Sequence, residues 1–120
     1  MKTLTTAEEE IMQHLWSLKE ANVANIIEKM KSPKPAYNTV STIIRILENK
    51  GFVDYRKEGR GHIYFPKVNK ETYTAATAGK LASNYFKGSF KNMVSFFMEQ
   101  EDLSVQDLEE ILNDINKKKS

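Results

Sequence analysis

Four polar side chains recur at the spacing of a single helix face in the middle of the sequence: Asn38, Ser41, Thr42 and Arg45. Their chemistry suits the edges of nucleic-acid bases, because asparagine pairs with adenine, arginine pairs with guanine, and a threonine methyl packs on the methyl group of thymine. Tyr37 precedes the stripe and could contact a phosphate or sugar, or simply cover the preceding turn. The stripe predicts a helix that enters a DNA major groove, and an ordinary solvated helix face is the alternative.

Basic side chains cluster shortly after this helix: Arg56, Lys57, Arg60 and His62. Residues 31–67 contain eight basic and three acidic residues, a net charge of +5, whereas residues 99–114 contain seven acids and no base. A polyanion is attracted to the first segment and repelled by the second. The three cations are therefore predicted to contact phosphates, with His62 as a further candidate and nearby glycines allowing a close approach. For Lys57 the alternative is a charge that protects a strand edge.

The inventory of reactive side chains argues against catalysis and metal binding. The sequence has no cysteine and two separated histidines, and it contains no phosphate-loop motif. We therefore expect no enzyme activity, no metal and no cofactor. No apolar stretch has the length of a signal peptide or a membrane span, so a cytoplasmic location is expected.

Two helices are predicted before the polar stripe. The first begins near Thr6, because Thr6 and Glu9 have the spacing of a capping box. The second covers about 23–30, with Asn22 as its cap. Apolar residues at helical spacing mark the buried faces of the two helices: Ile11, Leu15, Leu18, Val23, Ile26, Ile27 and Met30.

A turn and a third helix follow. Pro33 and Pro35 cannot continue a helix, so the chain must change direction there. The third helix covers about 36–50 and stops at Gly51, a residue type that commonly follows a helix C-terminus. Opposite its polar stripe lies an apolar one, which is predicted to pack on the first two helices: Val40, Ile43, Ile44 and Leu47.

After the third helix the apolar period changes to that of strands. Segments 52–57 and 62–65 are predicted to form a β-hairpin that is closed by the four-residue loop Glu58–Gly61 and ended by Pro66. This order of elements is that of a winged helix-turn-helix, in which the third helix enters the major groove and the hairpin, or wing, contacts the backbone. The predicted fold is mainly α (α+β), with a DNA-binding domain at 1–68.

Residues 69–120, here called the tail, are predicted to form three helices, at about 70–87, 89–100 and 105–117. Ser104 and Asp107 have the spacing of a cap for the last helix. The tail carries more large apolar side chains than three short helices can hide, so a homodimer is expected; packing onto the winged helix is the alternative. The predicted dimerisation residues are Tyr73, Leu81, Tyr85, Phe90, Val94, Phe97, Leu108, Ile111, Leu112 and Ile115.

Several segments resemble the penicillinase-repressor family, whose members repress β-lactamase and methicillin-resistance genes: Leu4–Glu8, Ile11-Met12, Leu15-Trp16, Thr39–Ile44, Lys50–Asp54, Phe90-Lys91 and Glu101–Ser104. The resemblance covers nearly the whole chain. It implies a dimer that represses by occupying an inverted-repeat operator in double-stranded DNA. Thr39 and Thr42 match the threonines that the family carries on its recognition helix, so the resemblance adds Thr39 to the predicted contact residues. Ser41 stands where some members carry a basic base-contacting residue, so the resemblance does not transfer the operator sequence.

The same resemblance implies an unusual form of induction. In the family a membrane metallopeptidase receptor senses a β-lactam, and the repressor is then cleaved within its dimerisation region. The matching segment here is Val94–Met98, with cleavage implied between Phe96 and Phe97, and Phe96 stands where the best-known relatives carry asparagine. Cleavage would detach the last helix and weaken the dimer. Another branch of the family senses copper through cysteine pairs, which this chain lacks.

Two other functions fit parts of the pattern. A small molecule held between wing and tail, against the tail aromatics, could release the repressor from DNA without cleavage. A winged helix could also serve purely as a protein-interaction module. That module would lack the steep salt dependence that phosphate contacts give to DNA binding.

Overall fold

A computed structural model describes residues 1–100 and 103–119. Within these ranges six helices and one antiparallel two-stranded sheet follow in the order α1 Thr6–Leu18, α2 Val23–Lys29, α3 Tyr37–Asn49, β1 Val53–Glu58, β2 Gly61–Pro66, α4 Lys70–Tyr85, α5 Phe90–Glu99 and α6 Val105–Lys119. The predicted winged helix-turn-helix is confirmed. Glu101 and Asp102, part of one segment of the family resemblance, lie outside the described residues. No described helix combines the length and apolar character needed to cross a membrane.

A threonine–glutamate capping box starts α1, one residue earlier than predicted. The Thr5 hydroxyl accepts a hydrogen bond from the Glu8 N–H at 3.2 Å, and the Glu8 carboxylate accepts one from the Thr5 N–H at 3.0 Å. The predicted box of Thr6 and Glu9 is wrong. Thr6 is already helical, and Glu9 accepts a hydrogen bond from the Tyr73 hydroxyl at 2.6 Å instead. Of the two overlapping patterns, the structure uses the one whose glutamate is buried.

A lysine holds the turn between α2 and α3. The Lys34 ammonium donates to the carbonyl oxygens of Ile27, Glu28 and Met30 at 3.1, 2.9 and 3.0 Å. These carbonyls end α2, where a positive charge also interacts favourably with the helix dipole. Lys34 belongs to the basic segment 31–67, but its ammonium group is already bound by the carbonyl oxygens at the end of α2.

The wing is a hairpin with a two-residue loop. The strands pair along their whole length, with Glu58 opposite Gly61 at the tip, so only Gly59 and Arg60 lie between them. The predicted four-residue loop is wrong because its outer residues are a cross-strand pair. Gly59 has a φ of +61°, in the left-handed region that tight hairpin turns require and that glycine adopts without strain.

The base of the wing is anchored to the turn between α1 and α2. Ala21 forms an isolated β-bridge with Tyr64, in which its N–H donates to the Tyr64 carbonyl at 3.0 Å and the Tyr64 N–H donates back at 2.8 Å. The neighbouring Glu20 binds Arg56 of β1 through two contacts of 2.6 and 3.0 Å. The wing is therefore fixed to the helical part by backbone and side-chain bonds.

One hydrophobic core serves the winged helix. Its fully buried side chains are Ile11, Met12, Leu15, Ile26, Val40, Ile44, Leu47, Phe52 and Val53. The predicted apolar stripe of α3 is buried, except that Ile43 is half-buried. Trp16 packs at the edge of the core, and its indole N–H donates to the Val68 carbonyl at 2.8 Å. Burial of the apolar stripe fixes which face of α3 remains exposed.

An ion pair joins the N-terminus of the chain to the end of α3. The Lys50 ammonium contacts the Glu8 carboxylate at 2.6 Å and donates to the Thr3 carbonyl at 3.2 Å. Glu8 is 5% exposed. Burial alone raises the pKa of Glu8, but hydrogen bonds from Lys50 and Thr5 and the charge of Lys50 together hold that pKa below its ordinary value.

We expect this pair to make the winged helix sensitive to acid. Because folding lowers the pKa of Glu8, its carboxylate stabilises the fold above the unfolded pKa, and this contribution is lost as the pH falls through the folded value. Glu8→Gln should lower the free energy of unfolding at neutral pH by about 2 kcal/mol and remove this part of the acid sensitivity. Urea denaturation from about pH 7 to about pH 3 measures both effects.

Glu10→Gln is the matched control for this substitution, since Glu10 is exposed on the same helix. It should leave the stability and its pH dependence close to those of the unsubstituted protein. An equal loss of stability on acidification in the unsubstituted protein and Glu8→Gln would show that the pair is not the source.

The chain divides into two compact units, Met1–Thr74 and Ala75–Ser120. The first turn of α4 belongs to the first unit, beyond the boundary expected at residue 68. Tyr73 explains this difference, because its ring lies 5.7 Å from the ring of Trp16 and 5.7 Å from that of Phe52. Tyr73 was predicted to be a dimerisation residue, but it packs against the core of its own winged helix.

The tail hides little of its own apolar surface. Among the described residues of α4, α5 and α6, only Ala82 is buried. The phenyl ring of Phe96 lies 5.5 Å from that of Phe86 and 5.8 Å from that of Phe97. With Leu81 and Tyr85 these rings line an open apolar cleft of about 640 Å³.

The start of α6 follows the sequence prediction. The Ser104 hydroxyl accepts from the Asp107 N–H at 3.0 Å, and the Asp107 carboxylate accepts from the Ser104 N–H at 3.1 Å. These bonds satisfy backbone donors that the first turn of a helix leaves without partners.

Candidate nucleic-acid interface

The outward face of α3 carries the six residues of this helix that were predicted to contact DNA. Five of the six are exposed: Tyr37, Asn38, Thr39, Thr42 and Arg45. Ser41 is half-buried and therefore lies at the margin of this face. Ile46 was not predicted, since it is apolar, yet it is 39% exposed and offers an apolar contact beside Arg45. The structure thus presents a mixed polar and apolar surface of the kind that base edges and thymine methyl groups can contact.

The first turn of α3 leaves hydrogen-bonding groups available. Ala36 is the N-cap and provides no side-chain cap hydrogen bond, while the Thr39 N–H donates to the Ala36 carbonyl at 3.1 Å. First-turn N–H groups and the helix dipole favour a phosphate at this end. The Thr42 hydroxyl donates to the Asn38 carbonyl at 2.8 Å, which leaves the methyl group as the main feature that Thr42 offers to a base.

Arg56 is already engaged within its own chain. Its guanidinium contacts both carboxylate oxygens of Glu20, at 2.6 and 3.0 Å, and one oxygen of Glu58 at 3.4 Å. The hydrogen bond from Arg56 lowers the pKa of Glu20. A phosphate would therefore have to compete with two carboxylates for Arg56. The geometry gives this residue a bracing role at the base of the wing.

The other predicted wing residues are exposed at and near the hairpin tip. Lys57 lies opposite His62 in the strand register, and Arg60 is in the two-residue loop. Neither cation forms an ion pair with a described residue. The His62 ring lies 4.5 Å from that of Tyr55. These positions leave Lys57 and Arg60 available to a polyanion.

We expect Lys57 and Arg56 to differ in how they affect the salt dependence of DNA binding. Lys57→Gln should reduce the slope of log affinity against log salt concentration by about one, because it removes one phosphate contact. Arg56→Gln should weaken binding with little change in slope, because it loosens the wing. Fluorescence anisotropy with a duplex from the chain's own promoter, over a series of salt concentrations, measures both slopes.

Lys91→Gln in α5 is the control for the loss of one positive charge, and its slope should match that of the unsubstituted protein. A reduced salt-dependence slope for Arg56→Gln together with an unchanged slope for Lys57→Gln would contradict this prediction. It would mean that Arg56 contacts a phosphate and that Lys57 does not.

A polar cleft lies between α3 and the wing. It has a volume of about 340 Å³ and is lined by Arg45, Glu48, Asn49, Tyr55, His62 and Tyr64. Burial raises the pKa of Tyr64, whose hydroxyl lies 3.5 Å from the His62 Nδ1. The cleft brings together Arg45 of α3 and His62 of β2. The sequence places these residues on separate elements and does not indicate that they lie close together. Tyr55 was not among the predicted site residues, because its apolar ring fitted the strand pattern.

Comparison with known proteins decides the family. A family model described as the penicillinase repressor matches residues 4–117. The chain belongs to the penicillinase repressor family. This protein is therefore a DNA-binding transcriptional repressor and not an enzyme, as the sequence predicted.

Individual relatives of this penicillinase-repressor family protein span nearly its whole length. The methicillin resistance regulatory protein MecI of Staphylococcus aureus (strain N315) is 34% identical over 116 residues, which cover 96% of this chain and 94% of MecI. The penicillinase repressor of Bacillus licheniformis is 26% identical over 109 residues, which cover 90% and 85% of the two chains. The solution structure of the DNA-binding domain of the repressor BlaI is similar with a TM-score of 0.52 and 27% identity, over 61% of this chain and 94% of that domain.

Proposed function

We propose that this repressor binds an inverted-repeat operator as a homodimer, with one α3 helix in each half-site. The observation that carries the proposal is the exposed face of α3, which lies on a segment of net charge +5 that includes the wing. The recognition helix of a helix-turn-helix protein docks in the major groove. A twofold dimer presents the same contacts to each half of a palindromic site. Acting on an operator, the protein works in the cytoplasm.

We assign the contacts by chemistry. Asn38 and Arg45 are proposed to hydrogen-bond to base edges, and Thr42 is proposed to pack on a thymine methyl group. Tyr37, Thr39 and Ser41 border these residues and complete the proposed contact surface. Lys57, Arg60 and His62 are proposed to contact phosphates, which position the protein without selecting a sequence.

The tail is proposed to hold the dimer together. Its predicted dimerisation residues are exposed at Leu81, Tyr85, Phe90, Ile111, Leu112 and Ile115, and half-buried at Val94, Phe97 and Leu108. Removing apolar surface from water yields about 25 cal/mol per Å². A second copy that covers these side chains would therefore be strongly favoured.

We further propose that a membrane metallopeptidase receptor ends repression by cleaving the bond between Phe96 and Phe97. This proposal rests on family membership, and two features of the chain support it. Phe96 is 44% exposed, and α5 has no buried side chain, so local unwinding of this helix to expose the bond costs little. The cut would separate α6, with its exposed apolar residues, from the rest of the chain.

Co-expression with the cognate receptor tests the cleavage proposal. After addition of the inducer, mass spectrometry should find two fragments that end at Phe96 and begin at Phe97. A chain that stays intact, or that is cut elsewhere, would overturn this step while leaving operator binding untouched.

Footprinting on the chain's own promoter tests the operator proposal. Two protected half-sites related by twofold symmetry are expected. Arg45→Ala should weaken binding by about 1–3 kcal/mol and relax the preference at one base pair of each half-site. Lys91→Gln is the control and should protect the same bases as the unsubstituted protein. Protection of a single half-site would contradict the dimer, and no protection at all would contradict the choice of operator.

A further inference from the structure

A second cavity lies on the winged helix, on a surface to which α3 does not contribute. It is open to solvent on one side and is formed by the end of α1, the end of β2 and the start of α4, with a volume of about 650 Å³. Small-molecule sites in proteins typically have roughly 300–1,000 Å³. None of the side chains assigned above to bases or phosphates lines this cavity, although Lys67 belongs to the basic segment 31–67.

The charged residues that line the cavity are all positive: Lys19, Lys67 and Lys70. No carboxylate is among the lining residues, and none of the three ammonium groups forms an ion pair with a described residue. Like charges that face one cavity repel one another and raise the local concentration of anions. The cavity is therefore electrostatically suited to an anionic ligand.

Aromatic surface lies beside these charges. Trp16 and Phe65 line the cavity and are half-buried. The indole N–H of Trp16 already donates to the Val68 carbonyl at 2.8 Å, so the exposed part of this side chain offers apolar ring surface rather than a hydrogen-bond donor. Aromatic side chains favour other flat rings in offset or edge-to-face contact. The cavity thus combines a surface for a ring with charges for an anion.

The backbone at Lys19 is strained. Lys19 follows α1 with a φ of 73° and a ψ of −41°, a conformation that glycine adopts freely and other residues rarely adopt. Strain of this kind persists at ligand-binding positions when a side chain is needed there. Lys19 combines this backbone conformation with a place in the lining of the cavity.

We propose that this cavity binds a small ring-bearing organic anion, with the ring against Trp16 and the anionic group among the three lysines. A phosphomonoester suits the site better than a carboxylate, because three positive charges favour a dianion over a monoanion. The ligand would be an effector or cofactor of the repressor that is recognised separately from DNA.

Trp16 provides a direct readout, because it is the only tryptophan of the chain. Titration of the full-length protein with phenyl phosphate should change its fluorescence in a saturable way. Benzoate should bind more weakly, and inorganic phosphate and benzyl alcohol should each bind at least about tenfold more weakly, since each lacks one part of the ligand. No saturable change overturns the proposal. Equal binding of inorganic phosphate would show that the ring contributes nothing, and equal binding of benzyl alcohol would show that the charge contributes nothing; either result overturns the proposal. Equal binding of benzoate overturns the preference for a phosphomonoester.

Two kinds of variant make the test specific to this cavity. Lys67→Gln/Lys70→Gln should weaken phenyl phosphate binding by about tenfold, whereas Lys29→Gln/Lys91→Gln, which removes the same charge elsewhere, should not. Lys19→Gly should relieve the backbone strain, so its Tm should be at least that of the unsubstituted protein while its affinity falls severalfold. Equal weakening by the two double variants would indicate non-specific attraction and overturn the site. None of these measurements contains DNA, so their failure leaves operator binding unaffected.

Discussion

Replacing Leu81 and Tyr85 together with lysine is expected to weaken binding to a two-half-site operator by about 10²- to 10³-fold while leaving binding to a single half-site unchanged. The two side chains lie one turn apart on α4 and line the apolar cleft of the tail, where Tyr85 is 74% exposed. Lysines there would place charges in the proposed contact and remove apolar surface from it. Without the partner, each winged helix would bind its half-site alone.

Sedimentation equilibrium measures the dissociation constant of the dimer. Fluorescence anisotropy with duplexes that carry one or two half-sites measures the two DNA affinities. Ser83→Lys/Asn113→Lys is the matched control, because it adds the same charge at exposed polar positions of α4 and α6. Loss of half-site binding in the Leu81 and Tyr85 variant would mean that the winged helix itself was damaged. A monomeric variant that kept full affinity for the two-site duplex would refute the role of the dimer.

Phe52→Ala is expected to lower the free energy of unfolding of the winged helix by about 3–5 kcal/mol. Phe52 is 1% exposed, and its ring meets that of Tyr73 edge-to-face with centroids 5.7 Å apart. Its backbone N–H donates to the Leu47 carbonyl at 2.9 Å, and its carbonyl accepts from the Lys67 N–H at 2.8 Å. The substitution would leave a cavity where α3, the wing and the first turn of α4 meet. Urea denaturation followed by Trp16 fluorescence measures the loss.

Tyr37→Ala is the control for this prediction, because Tyr37 is aromatic but 59% exposed. Its stability should stay within about 0.5 kcal/mol of that of the unsubstituted protein, and its DNA affinity should fall because Tyr37 belongs to the proposed contact surface. A cost below about 1 kcal/mol for Phe52→Ala would indicate that neighbouring side chains relax into the space.

Much of the winged helix could be predicted because its signals are local. Helical periodicity separates the buried stripe of α3 from its exposed face. Asn22 is predicted as a cap from its residue type just before an apolar helical pattern, and Ser104 from Asp107 three positions away; both caps form. The start of α1 was harder, because Thr5 and Thr6 each have a glutamate three residues on. Only the burial of Glu8 against Lys50 selects between them, and that pairing joins residues distant in sequence.

The partners of individual charges could not be predicted for the same reason. Arg56 and Glu20 are 36 residues apart, and nothing in the local pattern of either residue indicates the pair. The sequence therefore predicts phosphate contact for both Arg56 and Lys57, although among the described residues Arg56 pairs with carboxylates and Lys57 does not. The cavity beside Trp16 was missed because its lining comes from three separate elements, each of which looked ordinary alone.

The position of Tyr73 bears on what remains after proteolysis. Its ring covers Trp16 and Phe52, so a fragment that ended at Val68 would leave the edge of its own core facing water. A chain cut between Phe96 and Phe97 would retain α4 and with it this cover. The N-terminal product of such a cut would still be a folded DNA-binding protein. Induction would then produce a folded monomer that still binds a single half-site. The repressor would leave the operator because its avidity is lost and not because the winged helix unfolds.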